Sequence, residues 1–389
     1  DTSVSTIRQG ALFAYEMLAG TLQVLLEPYV EGILEHLLVC FGDTHADVRE
    51  ATQDAARVLM RSLSGQCLKL ILPSLLSGLD EKQWRMKKGA VELLGAMAFC
   101  APRQLSAALP TVIPRLSDVL TDSHRQVSTA ANQSLKQFGE VIHNPEIQSL
   151  VPVLLKALVD PNAKTASALK ALLRTKFVHY IDAPSLALIA PIIERGLRER
   201  TVLLQKQAAQ IVGNLASLTD TRDYVPYLSK YTPLVRVVLV SPVPDARGIA
   251  AKALGTLVER LGEVHFADLV PSLLQVLQTD ATGVDRHGAA QGLAEVLAGL
   301  GMERMERLLP TIIENTQDST SYVREGHLAL LIYLPATFGA RFIPHLGRIV
   351  PPIVASMADD IESVREASLR AGRMPVSYTH LTLPTTPYV

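Results

Sequence analysis

Proline recurs in this chain at an interval too regular for a single globular domain. Pro73, Pro114, Pro152, Pro191, Pro233, Pro271, Pro310 and Pro352 stand 41, 38, 39, 42, 38, 39 and 42 residues apart. Eight positions after most of these prolines comes an acid, at Glu81, Asp122, Asp160, Glu199, Asp318 and Asp360, with Asp280 one place later and Ser241 instead of an acid after Pro233. A short unit repeated in this way cannot bury its apolar face alone and must stack on its neighbours.

The segment from Leu309 to Glu325 contains the whole unit. An apolar run around Pro310 is followed by the polar turn Asp318-Ser319-Thr320-Ser321 and then by Val323-Arg324-Glu325, which leads into a second apolar run. Pro310 suits the opening turn of a helix, where its missing N–H would be unpaired anyway, and Asp318, Ser319 and Ser321 offer oxygens to the free amides of the next helix. Val-Arg-Glu returns at Val48-Arg49-Glu50 and Val364-Arg365-Glu366. The expected fold is all-α: an α-solenoid of about nine to ten HEAT- or armadillo-like helix pairs wound as a right-handed superhelix, spanning residues 1–373 with partial repeats at both ends.

Several local expectations follow. Residues 4–26 read as the second helix of a repeat, with Ile7, Ala11, Ala14, Tyr15, Leu18 and Leu22 on its buried face, so that the chain begins inside the array. Asp47 and Glu50 have the spacing of a capping box. Val127, Ala130, Ala131, Ser134, Leu135 and Phe138 form the inward stripe of a second helix. From Met374 onward the chain is rich in Thr and Pro and carries no Asp, Glu, Lys or Arg. Residues 374–389 read as a disordered or non-native tail, resembling adapter read-through.

Composition narrows the function classes. Hydrophobic residues make up 48% and aromatics 5%, so Leu, Ala and Val supply the core. The net charge of -1 conceals an asymmetry: residues 1–80 carry 5 bases and 10 acids, residues 81–206 carry 17 and 10, and residues 207–389 carry 15 and 18. A basic middle lies between acidic ends, and the local field governs what docks there. Cys40, Cys67 and Cys100 form no Cys-x-x-Cys pair and read as core fillers in a reducing compartment. No apolar run approaches the roughly 18 residues of a membrane span, and no leader precedes the array, which predicts a cytoplasmic fragment with no membrane partner.

No motif for catalysis is visible: the chain lacks a phosphate-binding glycine loop, a nucleophile elbow and a His-Glu-x-x-His pair, so the expectation is a non-enzyme with no cofactor and no metal. The recurrent Asp and Arg at the turns read as helix caps and as a ladder of hydrogen bonds between neighbouring repeats. Because turns of successive repeats share one edge, Arg85, Lys87, Lys88, Arg125, Lys164, Arg198, Arg200 and Lys206 predict a basic ridge, with Trp84 beside it. Such a ridge suits an RNA backbone, while Trp84 suits either a base or a protein partner, or else fills the seam to the next repeat.

The phrases Leu109-Pro110-Thr111-Val112-Ile113-Pro114, Asn144-Pro145-Glu146-Ile147, Pro191-Ile192-Ile193-Glu194-Arg195-Gly196-Leu197-Arg198-Glu199-Arg200 and Pro244-Asp245-Ala246-Arg247 resemble, in this order, the HEAT domain of fungal elongation factor three. That factor also carries ATPase cassettes, which are absent here. An array with this segment and no cassette resembles the family of general-control-nonderepressible activators of the initiation factor 2 alpha kinase. The resemblance implies a cytoplasmic, ribosome-associated scaffold that promotes kinase activation in starvation or ribosome stalling, and that engages an ABC-type ATPase partner through this segment. The kinase contact is expected through other parts of the full-length protein. The competing expectation is a nuclear-transport or trafficking adaptor that cradles cargo peptides.

Overall fold

A computed structural model describes residues 4–382, and they are helical except for turns and the irregular segment 175–182, which holds an isolated bridge at Ile181. Two compact units divide at Ile192. Unit 1 contains α1 (Ser5–Leu22), α2 (Val30–Phe41), α3 (Ala46–Ser62), α4 (Gly65–Gly78), α5 (Trp84–Cys100), α6 (Pro102–Leu120), α7 (Arg125–Gly139), α8 (Pro145–Val159) and α9 (Pro161–Arg174). The boundary falls within α10 (Ala183–Arg198). Unit 2 contains α11 (Val202–Ala216), α12 (Thr221–Leu239), α13 (Pro244–Leu261), α14 (Leu269–Leu277), α15 (Gly283–Leu300), α16 (Met302–Asn315), α17 (Ser321–Phe338), α18 (Leu346–Ser356) and α19 (Glu362–Thr382).

Within each unit the chain is a stack of HEAT-type helix pairs, as the period predicts. The second helices pack on one another: α1 on α3 and α5 on α7 in unit 1, and α11, α13, α15, α17 and α19 in succession in unit 2. The stripe expected on α7 is buried at every position. Glycine brings α13 and α15 close: a Cβ on Gly255 would lie 2.6 Å from the Glu295 carbonyl oxygen, and one on Gly299 2.5 Å from that of Gly255. Tyr224 ties α12 to α11, its buried hydroxyl donating to the Val212 carbonyl at 2.8 Å.

The repeated prolines sit elsewhere than expected. Pro73, Pro114, Pro152, Pro191, Pro233, Pro310 and Pro352 lie inside first helices, and Pro271 lies two residues into α14. The helices begin earlier because their upstream turns bury apolar side chains, such as Leu105 and Leu109 in α6 and Met305 and Leu309 in α16. That burial, about 1.5–3 kcal/mol per large aliphatic side chain, offsets the hydrogen bond a mid-helix proline removes.

Two further expectations are corrected. The buried positions of α1 are Leu12 and Ala19, while Ile7, Leu18 and Leu22 are exposed. Helix α3 begins after His45 with no capping box from Asp47; Asp43 takes that role, its Oδ1 accepting from the His45 amide at 2.9 Å. The same aspartate turn recurs at Asp122, Asp318 and Asp359.

The expected ladder is present in both units. Arg8 Nε donates to Asp43 at 2.7 Å and Lys87 Nζ to Asp122 at 2.8 Å in unit 1. In unit 2, Lys206 pairs with Asp245, Arg286 with Glu325 at 2.8 Å, and Arg324 with Asp359 at 2.8 Å. Arg324 also clamps its own turn, donating to the Asp318 and Ser319 carbonyls at 2.8 and 3.0 Å. Arg49 and Arg365 clamp their own turns in the same way, which explains why Val-Arg-Glu recurs, and Arg324 in addition fixes the neighbouring repeat.

The stretch Ser321–Ser356 is, by length and composition alone, apolar enough to cross a membrane, with mean hydropathy 1.3 over its best window. The run is longer than the sequence reading allowed, and its apolar side chains are core: Leu328, Leu330, Leu331 and Leu334 are fully buried together with His327, and Glu325 is 8% exposed. Helix α19 continues to Thr382, past residue 373 where the array is expected to end. Residues 383–389 of the expected tail lie outside the described residues.

Candidate interaction surface

The start of α5 is built by contacts to both neighbouring repeats. Gln83 precedes the helix and its side-chain amide donates to the Gly42 carbonyl of the preceding repeat at 2.6 Å. Trp84, the first residue of α5, stacks on His124 of the following repeat with ring centroids 3.9 Å apart and planes 10° from parallel. Arg85 places its guanidinium 4.7 Å from the Trp84 ring centroid. Trp84 is therefore a half-buried seam residue inside a His–Trp–Arg stack.

Arg85, Lys87 and Lys88 occupy the first two turns of α5 and not the loop before it. Lys87 belongs to the ladder, and its partner Asp122 is held below the usual carboxylate range chiefly by that lysine. Lys88 reaches Glu92 one turn on, at 3.1 Å. Arg125 opens α7 and is exposed, as is Lys164 in the first turn of α9. In unit 2, Arg198 pairs with Glu194 at 3.0 Å, Lys206 joins the ladder to Asp245, and Arg200 stands exposed in the turn before α11.

In unit 1 the structure gathers part of the predicted set into a trough. Helices α3 and α5 pack more loosely than α5 and α7. Between them run two adjoining hollows of 300 and 530 Å³ that share Phe41, Gln53, Lys88 and Glu92. Five basic side chains, Arg49, Arg57, Arg61, Arg85 and Lys88, line them against the single acid Glu92. Arg57 and Arg61 are exposed, although Arg57 also meets Asp54 at 2.9 Å. Arg49 is half-buried and donates to the Asp43 and Thr44 carbonyls at 2.7 and 2.9 Å. Phe99, 64% exposed, stands at one end of the trough and Trp84 at the other.

Arg49, Arg57 and Arg61 escaped the sequence reading because they lie in the stretch whose charges sum to an acidic value. Their separations of eight and four residues place them on one helix face, and that spacing is the signal that would have found them. The three cysteines are free, with Cys67 buried and the other two half-buried, and burial pushes each thiol upward.

Comparison with known proteins supplies an independent line. Residues 1–135 match the model of the elongation factor 3 N-terminal HEAT repeat, and residues 164–268 match that of the elongation factor 3/GNC1 HEAT repeat. The human protein named stalled ribosome sensor GCN1 is 52% identical over 372 residues, which are 95% of this chain and 14% of that protein. The Saccharomyces cerevisiae eIF-2-alpha kinase activator GCN1 is 47% identical over 369 residues, again 95% and 14%. Elongation factor 3 of Candida albicans is 29% identical over 277 residues, 70% of this chain and 26% of that one. The chain thus spans about a seventh of the length of its GCN1 relatives.

Proposed function

Because the chain belongs to the HEAT-repeat family that GCN1 proteins share with elongation factor 3, we propose that it is a ribosome-binding segment of a translational stress scaffold. The names of its relatives, a stalled ribosome sensor and an eIF-2-alpha kinase activator, support the reading that the full-length protein works in the cytoplasm on ribosomes. There it promotes activation of the initiation factor 2 alpha kinase when amino acids are scarce or ribosomes stall. The work of this segment is binding; it has no catalytic part. The elongation-factor-like stretch engages an ABC-type ATPase partner, and the kinase is met by other parts of the full-length protein.

The observation that carries the ribosome contact is the α3–α5 trough, where five bases face one acid beside an arginine-covered tryptophan. Helical RNA is recognised mainly through its phosphates and sugar hydroxyls, which a basic trough meets without reading sequence. The exposed ring of Phe99 adds stacking surface for an unpaired base. Arg125 and Lys164 in unit 1, and Arg198 and Arg200 in unit 2, are further cationic contacts of the same kind.

Co-sedimentation with purified ribosomes tests the reading. Reversing Arg57, Arg61 and Lys88 to Glu is expected to release most of the chain to the supernatant, and reversing Arg198 and Arg200 to weaken binding less. Retention of the triple variant at the wild-type level would remove the trough from the account. Recovery of transport factors and no ribosomal proteins in a pulldown would favour the adaptor reading.

A further inference from the structure

The stack of second helices in unit 1 opens beyond α7. Helix α7 packs along α5 but has no comparable packing with α9. The joint before α9 accounts for the difference. Four residues, Thr121–His124, lead from α6 into α7, whereas Asp160 alone joins α8 to α9. Asp160 caps α9, its carboxylate accepting from the Ala163 amide at 3.3 Å, and Pro161 begins the helix at once. With no loop to let it fold back alongside α7, α9 leaves a gap floored by α8.

That gap is a groove of 590 Å³, within the ~300–1,000 Å³ range of binding pockets. Its floor is aliphatic, formed chiefly by Leu135, Val151, Leu155 and Val159. Gly139 sets the floor: a Cβ there would lie 2.6 Å from Val151 Cγ1, so only glycine lets α8 come this close to α7. Val159 is 40% exposed within it. Lys136, Lys156 and Lys164 stand on the rim, all exposed. The one acid on the rim, Asp160, is occupied by its helix cap.

We propose that this groove docks an acidic amphipathic helix of a partner protein. Aliphatic side chains at helical spacing would enter the floor, and carboxylates along the flanks of that helix would meet the three lysines. An incoming helix suits the site because the walls are themselves helices, and a gap in a helix stack takes one more helix by side-chain interdigitation. RNA is the poorer match. The groove has neither an aromatic ring nor an arginine plane on which a base could stack, in contrast to the α3–α5 trough. The proposal is independent of the α3–α5 trough, with which the groove shares no lining residue.

The test uses the whole chain and a fluorescein-labelled synthetic peptide of about 16 residues, a helix of ~24 Å, with Leu on one face and Glu on its flanks. A peptide of identical composition in scrambled order serves as the control. Fluorescence anisotropy should show the amphipathic peptide binding and the scrambled one binding much more weakly. Lys136→Glu/Lys156→Glu/Lys164→Glu should lower the affinity about tenfold or more, as should Val159→Asp. Arg57→Glu/Arg61→Glu should leave it unchanged. The lysines are exposed, so their reversal is expected to keep the wild-type circular dichroism spectrum, and this variant decides the matter if Val159→Asp misfolds. Equal binding of the scrambled peptide, wild-type affinity in the lysine variant, or loss on lysine reversal only of a 20-nucleotide RNA's binding would each overturn the proposal.

Discussion

Removing the Arg324–Asp359 rung should loosen the junction between the last two helix pairs far more than its surface position suggests. Arg324 presents Nε and Nη2 to the two oxygens of Asp359 at 2.8 and 3.0 Å, and the side chains are only 16% and 12% exposed. A bidentate, mostly buried pair of this kind couples by about 1.5–3 kcal/mol. Arg307 and Glu303, also an arginine and a carboxylate, are 67% and 80% exposed and should couple by only about 0.3–0.5 kcal/mol. Arg324→Met also loses the clamp on the Asp318 and Ser319 carbonyls, so the single variant overstates the rung. A double-mutant cycle with Asp359→Asn cancels that loss. Long repeat arrays need not unfold in one step, so the readout should be local: hydrogen exchange of amides in α17 and the first turns of α19. A coupling of about 2 kcal/mol corresponds to roughly thirtyfold in protection. A coupling no larger than that of Arg307 and Glu303 would refute the ladder as the device that fixes neighbouring repeats.

Three further outcomes follow from the same structure. Asp43, Asp122 and Asp359 are held below the usual carboxylate range chiefly by Arg8, Lys87 and Arg324. Their contribution to stability is complete above the ordinary aspartate pKa of about 3.9 and is lost as pH falls through the lowered values. Thermal melts between pH 6 and 2 should show this decline, less steeply after Lys87→Met. Burial pushes His287 and His327 below the ordinary histidine range, so their contribution is complete above about pH 6.5 and is lost as pH falls through the lowered values. His327→Gln should flatten the melting temperature of unit 2 between pH 7 and 5. Deleting residues 374–389, proposed to lie outside the array, should leave the melting midpoint within about 1 °C. A drop of several degrees would make that segment part of the fold.

Much of the fold was legible because its determinants are local. Asp318 and Arg324 act within a few residues of one another, so the clamped turn leaves a recurring phrase in the sequence. The stripe from Val127 to Phe138 was legible for the same reason, since it faces a neighbour on a single helical period. Helix starts were misplaced because the marker prolines are tolerated inside first helices that tertiary packing extends, as at Leu105 and Leu309. The basic residues were legible as a set but not by what holds them. Lys87 and Lys206 look identical to free lysines in sequence, yet each is tied to an aspartate 35 or 39 residues away. The trough was missed in half because its α3 wall lies in an acidic stretch, and the α7–α9 groove because it depends on how a one-residue joint redirects a helix.

The affinity of the chain for purified ribosomes, measured across a salt series, tests the central claim most directly. Wild-type binding should weaken steeply with salt, and Arg57→Glu/Arg61→Glu/Lys88→Glu should both lower the affinity and reduce the logarithmic salt slope by about 2–3, as expected for three lost phosphate contacts. An unchanged slope in the triple variant, or an affinity indifferent to salt in the wild type, would contradict it.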